Sequence, residues 1–382
     1  MQRQVATILL ICVLGLVAMG LIMLLSIGGK FASGEGTEMW SYFNKQAMWL
    51  LPATIVCIVA SRWDYQELVR YAPWILGATY ILLLLVFVPG LGREALGAYR
   101  WISVGGFNFQ PSELAKVALV LWLAYWLSRQ QRNLRHFVPG FLIPAAVLGT
   151  LGMITVAQHD LGVTAVLCFL FFVVMWTAGA PKRYLLPIPP AAVGGILTLA
   201  VYNPERMGRL MAFMDPEKYK MGDGFQPWQA LVAFGSGGPI GVGLGNSRQK
   251  FDFLPEPHSD FIFPILGEEL GLWMALAVVT TFLVITLCGG WISLHAPDSM
   301  GIMVGTGITA MIAIQATVNL MVVTSMMPTK GMPLPFISYG GSNLVLCFGA
   351  IGVLFNIARQ GVEIQNVKQG RAQLPPHLSP RM

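Results

Sequence analysis

Apolar residues along this chain come in long blocks instead of alternating with polar ones. Stretches free of Asp, Glu, Lys and Arg cover residues 5–29, 46–61, 71–92, 117–128, 136–159, 161–181, 184–204, 270–294, 299–329 and 331–358. A helix needs about 20 mostly apolar residues to cross the hydrocarbon core, so the pattern predicts ten spans. Two blocks are short. The second lies between Lys45 and Arg62, whose side chains can snorkel outward. The fourth reaches full length only if it starts near Pro111 and takes Glu113 and Lys116 into the membrane edge. The first block is too long for a signal peptide, and no A-x-A site follows it, so it reads as a span. The predicted fold is an all-α polytopic membrane protein of ten transmembrane helices over residues 1–358. Residues 359–382 read as a short, disordered cytoplasmic tail.

Composition agrees. Of 382 residues, 55% are hydrophobic and 11% charged, against about 25% charged in soluble proteins. That excludes a soluble globular or disordered chain. The five Cys all lie inside apolar blocks without C-x-x-C spacing, which suits packing more than metal or redox chemistry. The net charge of +6 is a matter of topology. With an even number of spans both termini share one side. If that side is the cytoplasm, twelve basic residues fall in short inner segments and five in short outer loops, which favours N-in, C-in. No nucleic-acid partner is implied. One segment stands apart: residues 202–260, between the seventh and eighth spans and extracytoplasmic in this topology, carry seven acidic and six basic residues. Phe213, Tyr219, Phe225, Trp228 and Phe234 run through it, which predicts a loop folded onto the membrane.

The densest polar cluster closes that loop: Asp252, Glu256, His258 and Asp260, with Pro255 and Pro257 stiffening the approach. Pro264 suits a first helical turn, so the eighth helix starts near 261–264 with Asp260 at its edge. Asp260 there is either a helix cap or a general base or metal ligand at the membrane boundary. Glu268 and Glu269 follow within two turns. Acids at that depth are functional or tightly paired with a cation. The glycine run 235–245 has neither P-loop nor dinucleotide spacing and reads as a tightly packed re-entrant or helical segment. After the third span come Arg100, Gln110, Ser112, Glu113 and Lys116. Glu113 and Lys116 are spaced i, i+3 and can pair, while Arg100 and Lys116 are also plausible phosphate contacts. Asp160 is expected to cap the sixth helix. The loop before the tenth span holds one charge, Lys330, among prolines and glycines, and leads to Ser338 and Ser342, where backbone N–H groups can face an anion. All these clusters except the turn at Asp160 are expected to form one outer-face site, suited to an anionic lipid-borne substrate.

In these residues the chain resembles the SEDS family (shape, elongation, division and sporulation proteins). The resemblance rests on Pro255-Glu256-Pro257-His258-Ser259-Asp260, on Gly267-Glu268-Glu269-Leu270-Gly271, on the run from Pro328 through Lys330 to Ser342, and on Gln110-Pro111-Ser112-Glu113. It covers essentially the whole chain and favours the family's division branch over its elongation branch. His159 stands where the family usually has Pro. The resemblance implies a peptidoglycan glycosyltransferase of the bacterial cytoplasmic (inner) membrane, acting at the division septum. It would join lipid II units by inverting displacement of undecaprenyl pyrophosphate, with Asp260 as general base. Arg100, Lys116 and Lys330 would contact the pyrophosphate. Gln110, Ser112, Glu113, Glu256, His258, Ser338 and Ser342 would line the substrate, and Asp160, Glu268 and Glu269 would be structural or coupling residues. It further implies a class B penicillin-binding protein and other divisome membrane proteins as partners, and makes a divalent cation, Mg2+ or Mn2+, plausible. A lipid II flippase and a non-catalytic scaffold are the competing readings. A flippase would concentrate polar groups at mid-membrane, and a scaffold needs no cluster of acids.

Overall fold

A computed structural model describes residues 1–28, 40–95, 98–104, 107–202, 204–251, 254, 257–368 and 370. The chain is predominantly helical. Among the described residues six helices are long and apolar enough to cross a membrane: α1 (Gln2–Gly28), α2 (Ser41–Arg62), α6 (Ile143–Ala157, continuous with a π-helical turn from Val138), α12 (Ile262–Leu294), α13 (Ser299–Val323) and α14 (Gly341–Lys368). Two shorter apolar helices, α4 (Ala72–Leu85) and α7 (Leu161–Thr177), accompany them. Beside these lie α5 (Pro111–Arg129) and α9 (Ile188–Val201), and the short α3 (Tyr65–Arg70) and α8 (Lys182–Leu185).

Chain chemistry sets the boundaries. Asp64, Asp160 and Asp298 cap α3, α7 and α13 by accepting from the backbone N–H groups of Gln66, Val163 and Gly301, which satisfies donors a helix start leaves unpaired. Prolines occupy the first turns of α4, α5 and α6, where the missing N–H costs nothing. Large apolar side chains of α1, α2 and α12, among them Leu14, Leu51, Ile58, Leu276 and Leu283, point away from the protein and form a lipid-facing belt. Of these six, α14 is the most buried, with 72% of its apolar window inside, against 11% for α2, which packs along it.

Three sequence expectations need correction. The fold is not purely α: Gly92–Ala95 (β1), Ala98–Val104 (β2) and Phe107–Phe109 (β3) form an antiparallel sheet in that order. The third block therefore ends as helix at Leu85, because the chain turns off into β1. The segment 202–260 is not a plain loop, since it contains two helices, α10 (Pro204–Met214) and α11 (Phe225–Gly237). The tail starts later than predicted, since α14 runs on to Lys368; residues 371–382 lie outside the described ones. The glycine run, by contrast, packs as expected.

α12 is not one straight rod. Gly271 sits at φ 79°, a region only glycine adopts freely. The carbonyls of Glu268 and Glu269 accept from Val242 and Gly243 N–H at 3.0 Å each, and Leu272 N–H donates to Gly238 O at 2.9 Å. The glycine run thus replaces the interrupted helical ladder. A Cβ on Gly241 would lie 2.2 Å from Glu269 O, so no other residue permits this approach.

Candidate active site

The site lies at the end of the bundle where α5, α7, α12 and α14 begin and α1 and α13 finish. Asp260 ends a turn over residues 257–260 that three other elements hold. Asn319 of α13 donates its amide to Asp260 O at 2.8 Å and to Met332 O at 2.7 Å. Ser338 donates to Ser259 O at 2.6 Å and accepts from Leu334 N–H at 2.8 Å. Tyr339 N–H donates to His258 O at 2.9 Å, and the His258 ring stacks on Tyr42 of α2 at 4.3 Å. These bonds use backbone carbonyls of the turn and so fix its path. Asp260 is not the cap of α12: Phe261 occupies that position, with no side-chain capping bond. The carboxylate instead abuts the next loop, where a Cβ on Gly331 would fall 2.8 Å from its Oδ2.

Lys330, next to that glycine, lays its stem across Gly162, whose added Cβ would sit 2.5 Å from the lysine Cε. Burial lowers the Lys330 ammonium to about 8; Asp160 opposes this, while Arg100, Arg209 and Arg206 push further down. Desolvation and like charges both disfavour a cation, so Lys330 stands among basic groups held ready for negative charge. Arg100, on β2, donates Nη2–H to His159 O at 2.6 Å, and its Nε stands 3.8 Å from Asp160 Oδ2, buried without a hydrogen-bond partner. His159 adopts φ 58°, a left-handed turn that proline, with φ locked near −65°, does not reach. The turn at Asp160 is therefore part of the cationic side of the site, against the expectation that it lies apart. Asp160 caps α7 as expected and also faces Arg100 and Lys330.

Other expected site residues are committed to internal bonds. Lys116 Nζ pairs with Glu113 Oε1 at 2.7 Å, at 1% and 5% side-chain exposure; Glu113 Oε2 accepts from Asn343 at 2.6 Å and Gln315 at 3.5 Å. Of the two expectations for Lys116, pairing is the one realised, and a phosphate contact from this buried ammonium is set aside. Gln110 N–H donates to Ser342 Oγ, which donates to Asn108 O, both at 3.2 Å, fastening β3 and α5 to α14. The Ser112 hydroxyl is buried without a hydrogen-bond partner. Glu268 and Glu269 are both buried; Glu269 pairs with a cation from the loop residue Lys250 instead of a neighbouring helix, and Glu268 accepts from neutral donors. Glu256 and Asp252 lie outside the described residues.

Sequence reading missed Asn319, Tyr42, Arg206, Arg209 and Lys250. Asn319 and Gln315, four residues apart in an apolar block, are the recoverable signal, because polar groups in a span are rarely idle. Among the described residues no three His, Cys, Asp or Glu side chains converge on one point, and Asp252 and Glu256, the other acids of this turn, lie outside them.

Comparison with known proteins agrees with this architecture. The family described as FtsW/RodA/SpoVE, cell cycle protein, matches residues 6–363. A probable peptidoglycan glycosyltransferase FtsW from Geobacter metallireducens is 38% identical over 351 residues, covering 92% of this chain and 94% of that protein. The stage V sporulation protein E of Bacillus subtilis is 37% identical over 352 residues, covering 92% and 96%. Among solved structures, a chain of a peptidoglycan synthase complex that coordinates polymerization and crosslinking superposes with a TM-score of 0.75 at 26% identity, covering 92% and 97%. The rod shape determining protein RodA of Thermus thermophilus gives 0.68 at 25% identity, covering 92% and 96%. A match across nearly the whole length, with the site turns inside it, shows that this chain belongs to the FtsW/RodA/SpoVE family.

Proposed function

We propose that this protein is a peptidoglycan glycosyltransferase that polymerises lipid II at the outer face of the bacterial inner membrane during cell division. The observation that carries the reading is the position of Asp260, on a turn fixed by Asn319, Ser338 and Tyr339 and against Gly331, whose neighbour Lys330 crosses Gly162 towards the turn where Arg100 meets His159 and Asp160. Asp260 takes the proton from the acceptor 4-hydroxyl. That oxygen attacks the donor C1, the bond from C1 to the diphosphate oxygen breaks, and undecaprenyl pyrophosphate leaves with the bonding pair. The α-linked donor becomes a β-1,4 link in one inverting step. Charge builds on the leaving diphosphate, where fixed cations are most effective. Arg100 suits this role through its partly exposed guanidinium, 27% accessible, and Lys330 through its ammonium.

The ten-span, N-in, C-in topology is part of the proposal, with α4, α5, α7 and α9 completing the six long helices. So are the septal location, which the family's description as a cell cycle protein supports, and a class B penicillin-binding protein as partner, which the match to a complex coordinating polymerization and crosslinking supports. A tagged copy should concentrate at midcell; side-wall distribution would instead favour an elongation role. The reading as a whole is tested by giving labelled lipid II to purified protein with its transpeptidase in liposomes. Glycan chains insensitive to transpeptidase inhibition support it. Lipid movement without polymer would make the protein a transporter, and neither activity would leave a scaffold.

Two further outcomes follow from the geometry. Gly331→Ala places a methyl against the Asp260 carboxylate and should slow polymerisation roughly tenfold to a hundredfold, because small displacements of a reacting group are costly; thermal unfolding of the purified variant should stay unchanged. The second concerns pH. With Lys330 lowered to about 8, affinity for the diphosphate-bearing substrate should weaken as pH rises through 8, since the ammonium is lost. Intrinsic stability should move the other way between pH 8 and 10.5, because there the unfolded chain binds more protons than the folded one. A titration of apparent KM against pH checks the first, and Lys330→Arg should remove that alkaline limb.

A further inference from the structure

Asp260 stands at the leading end of a short piece of helix. Residues 262–270 are cut off from the rest of α12 by the break at Gly271, so the helix axis beyond the break does not fix where they point. Their ties run sideways, to the segment that precedes Asp260. Lys250 Nζ lies 3.0 Å from Glu269 Oε1, and both side chains are essentially inaccessible, at 2% and 0% exposure. The same ammonium donates to Gly245 O at 2.7 Å and to Ser26 O and Oγ at 3.1 Å each. Ser26, near the end of α1, gives its hydroxyl to Glu269 at 2.6 Å. Glu268 is met by neutral donors: the hydroxyls of Ser247 and Ser236, and the N–H groups of Arg248 and Gln249 at 3.1 and 3.3 Å.

The ion pair joins two residues nineteen apart in sequence, and Asp260 lies between them. It is the neck of the segment that bears the carboxylate. Two buried charges gain little stability over apolar groups of equal size. What an apolar pair lacks is direction, and here each donor and acceptor has one position.

We propose that Lys250 is a positioning residue for glycosyl transfer: its bond to Glu269, anchored on Ser26, holds the detached half-helix so that Asp260 meets the acceptor hydroxyl. This rests on Asp260 being the base. Lys250 touches no substrate; it acts through the placement of Asp260.

The test compares variants of the full-length protein, reconstituted with its transpeptidase and labelled lipid II, for kcat, KM and thermal unfolding. Single removal of Lys250 would strand a buried carboxylate, so the informative variant is Lys250→Met with Glu269→Met, which keeps volume and removes both charges. Its kcat should fall roughly a hundredfold, the scale of a misplaced reacting group, with KM within about twofold and unfolding temperature near that of the parent. Lys250→Arg should restore most of the turnover, which a filler role for the side chain would not predict. Should the double variant not fold, Ser26→Ala removes one anchoring hydroxyl and should lower kcat severalfold at unchanged KM. Parent-like kcat in the folded double variant, or in Ser26→Ala, overturns the proposal, as does a loss residing in KM. The underlying reading fails separately: Asp260→Ala would then polymerise normally, whatever the Lys250 variants do.

Discussion

Asp260→Ala should abolish polymerisation while leaving the protein folded. Removing a general base typically costs 10²- to 10⁴-fold, which in a polymerisation assay takes turnover to background. The backbone of the turn should keep its path in this variant. The bonds that fix residues 258–260 come from Asn319, Ser338 and Tyr339 and end on backbone carbonyls; none needs the carboxylate. The cap position of α12 belongs to Phe261, so no cap is lost either. The unfolding temperature should stay within a few degrees of the parent's, and complex formation with the transpeptidase should persist. Asp260→Asn is the sharper variant, since it keeps shape and removes basicity; it should be as inactive as the alanine. Normal glycan synthesis by either would remove Asp260 from the mechanism.

Glu113→Ala should unfold the protein or come close to it. The change strips the partner from Lys116, an ammonium with 1% side-chain exposure, and leaves Asn343 and Gln315 without their acceptor. Breaking a buried pair on one side costs about 3–5 kcal/mol, a large part of the stability of an ordinary domain. Lys116→Met should cost nearly as much, because the carboxylate then stays buried without its cation. Changing both, Glu113→Leu with Lys116→Met, should recover most of the loss, as expected of two residues in direct contact. Thermal unfolding in detergent, read with the yield of monodisperse protein, measures all three. If the double change is as damaging as the sum of the singles, the pair has a role beyond mutual satisfaction. Because Asn343 lies on α14, the same pair fastens α5 to the most buried of the six long helices, and its failure should loosen the bundle.

The two expectations differ in how far sequence alone could carry them. The long apolar helices were legible because a membrane imposes one length scale on every helix that crosses it, and the blocks 5–29 and 299–329 contain α1 and α13 almost entirely. The motif around Asp260 was legible because its acids are so scarce elsewhere. The sheet was not: β2 carries Arg100 within seven residues, too short to separate by pattern from a loop. Neither was the pairing of Glu269. Lys250 sits among glycines and polar residues in a segment with no helical period, and only the folded path of the glycine run brings it back. The role of Lys116 stayed ambiguous for a different reason. Spacing of i, i+3 permits a pair, but burial decides between a pair and an open phosphate contact, and burial depends on α13 and α14. The turn at Asp160 looked isolated because its neighbours, Arg100 and Lys330, are far away in sequence.

The break at Gly271 has a mechanical consequence. A continuous helix transmits thrust and rotation along its axis, so whatever grips its lipid-facing shaft also moves its tip. Here the hydrogen-bond ladder stops between Glu269 and Leu272 and is taken up by another segment. The same run bonds Leu272 on the shaft and Glu268 and Glu269 on the tip, so it splints the joint, and a push on the shaft should reach the tip through the glycine run instead of along a helix axis.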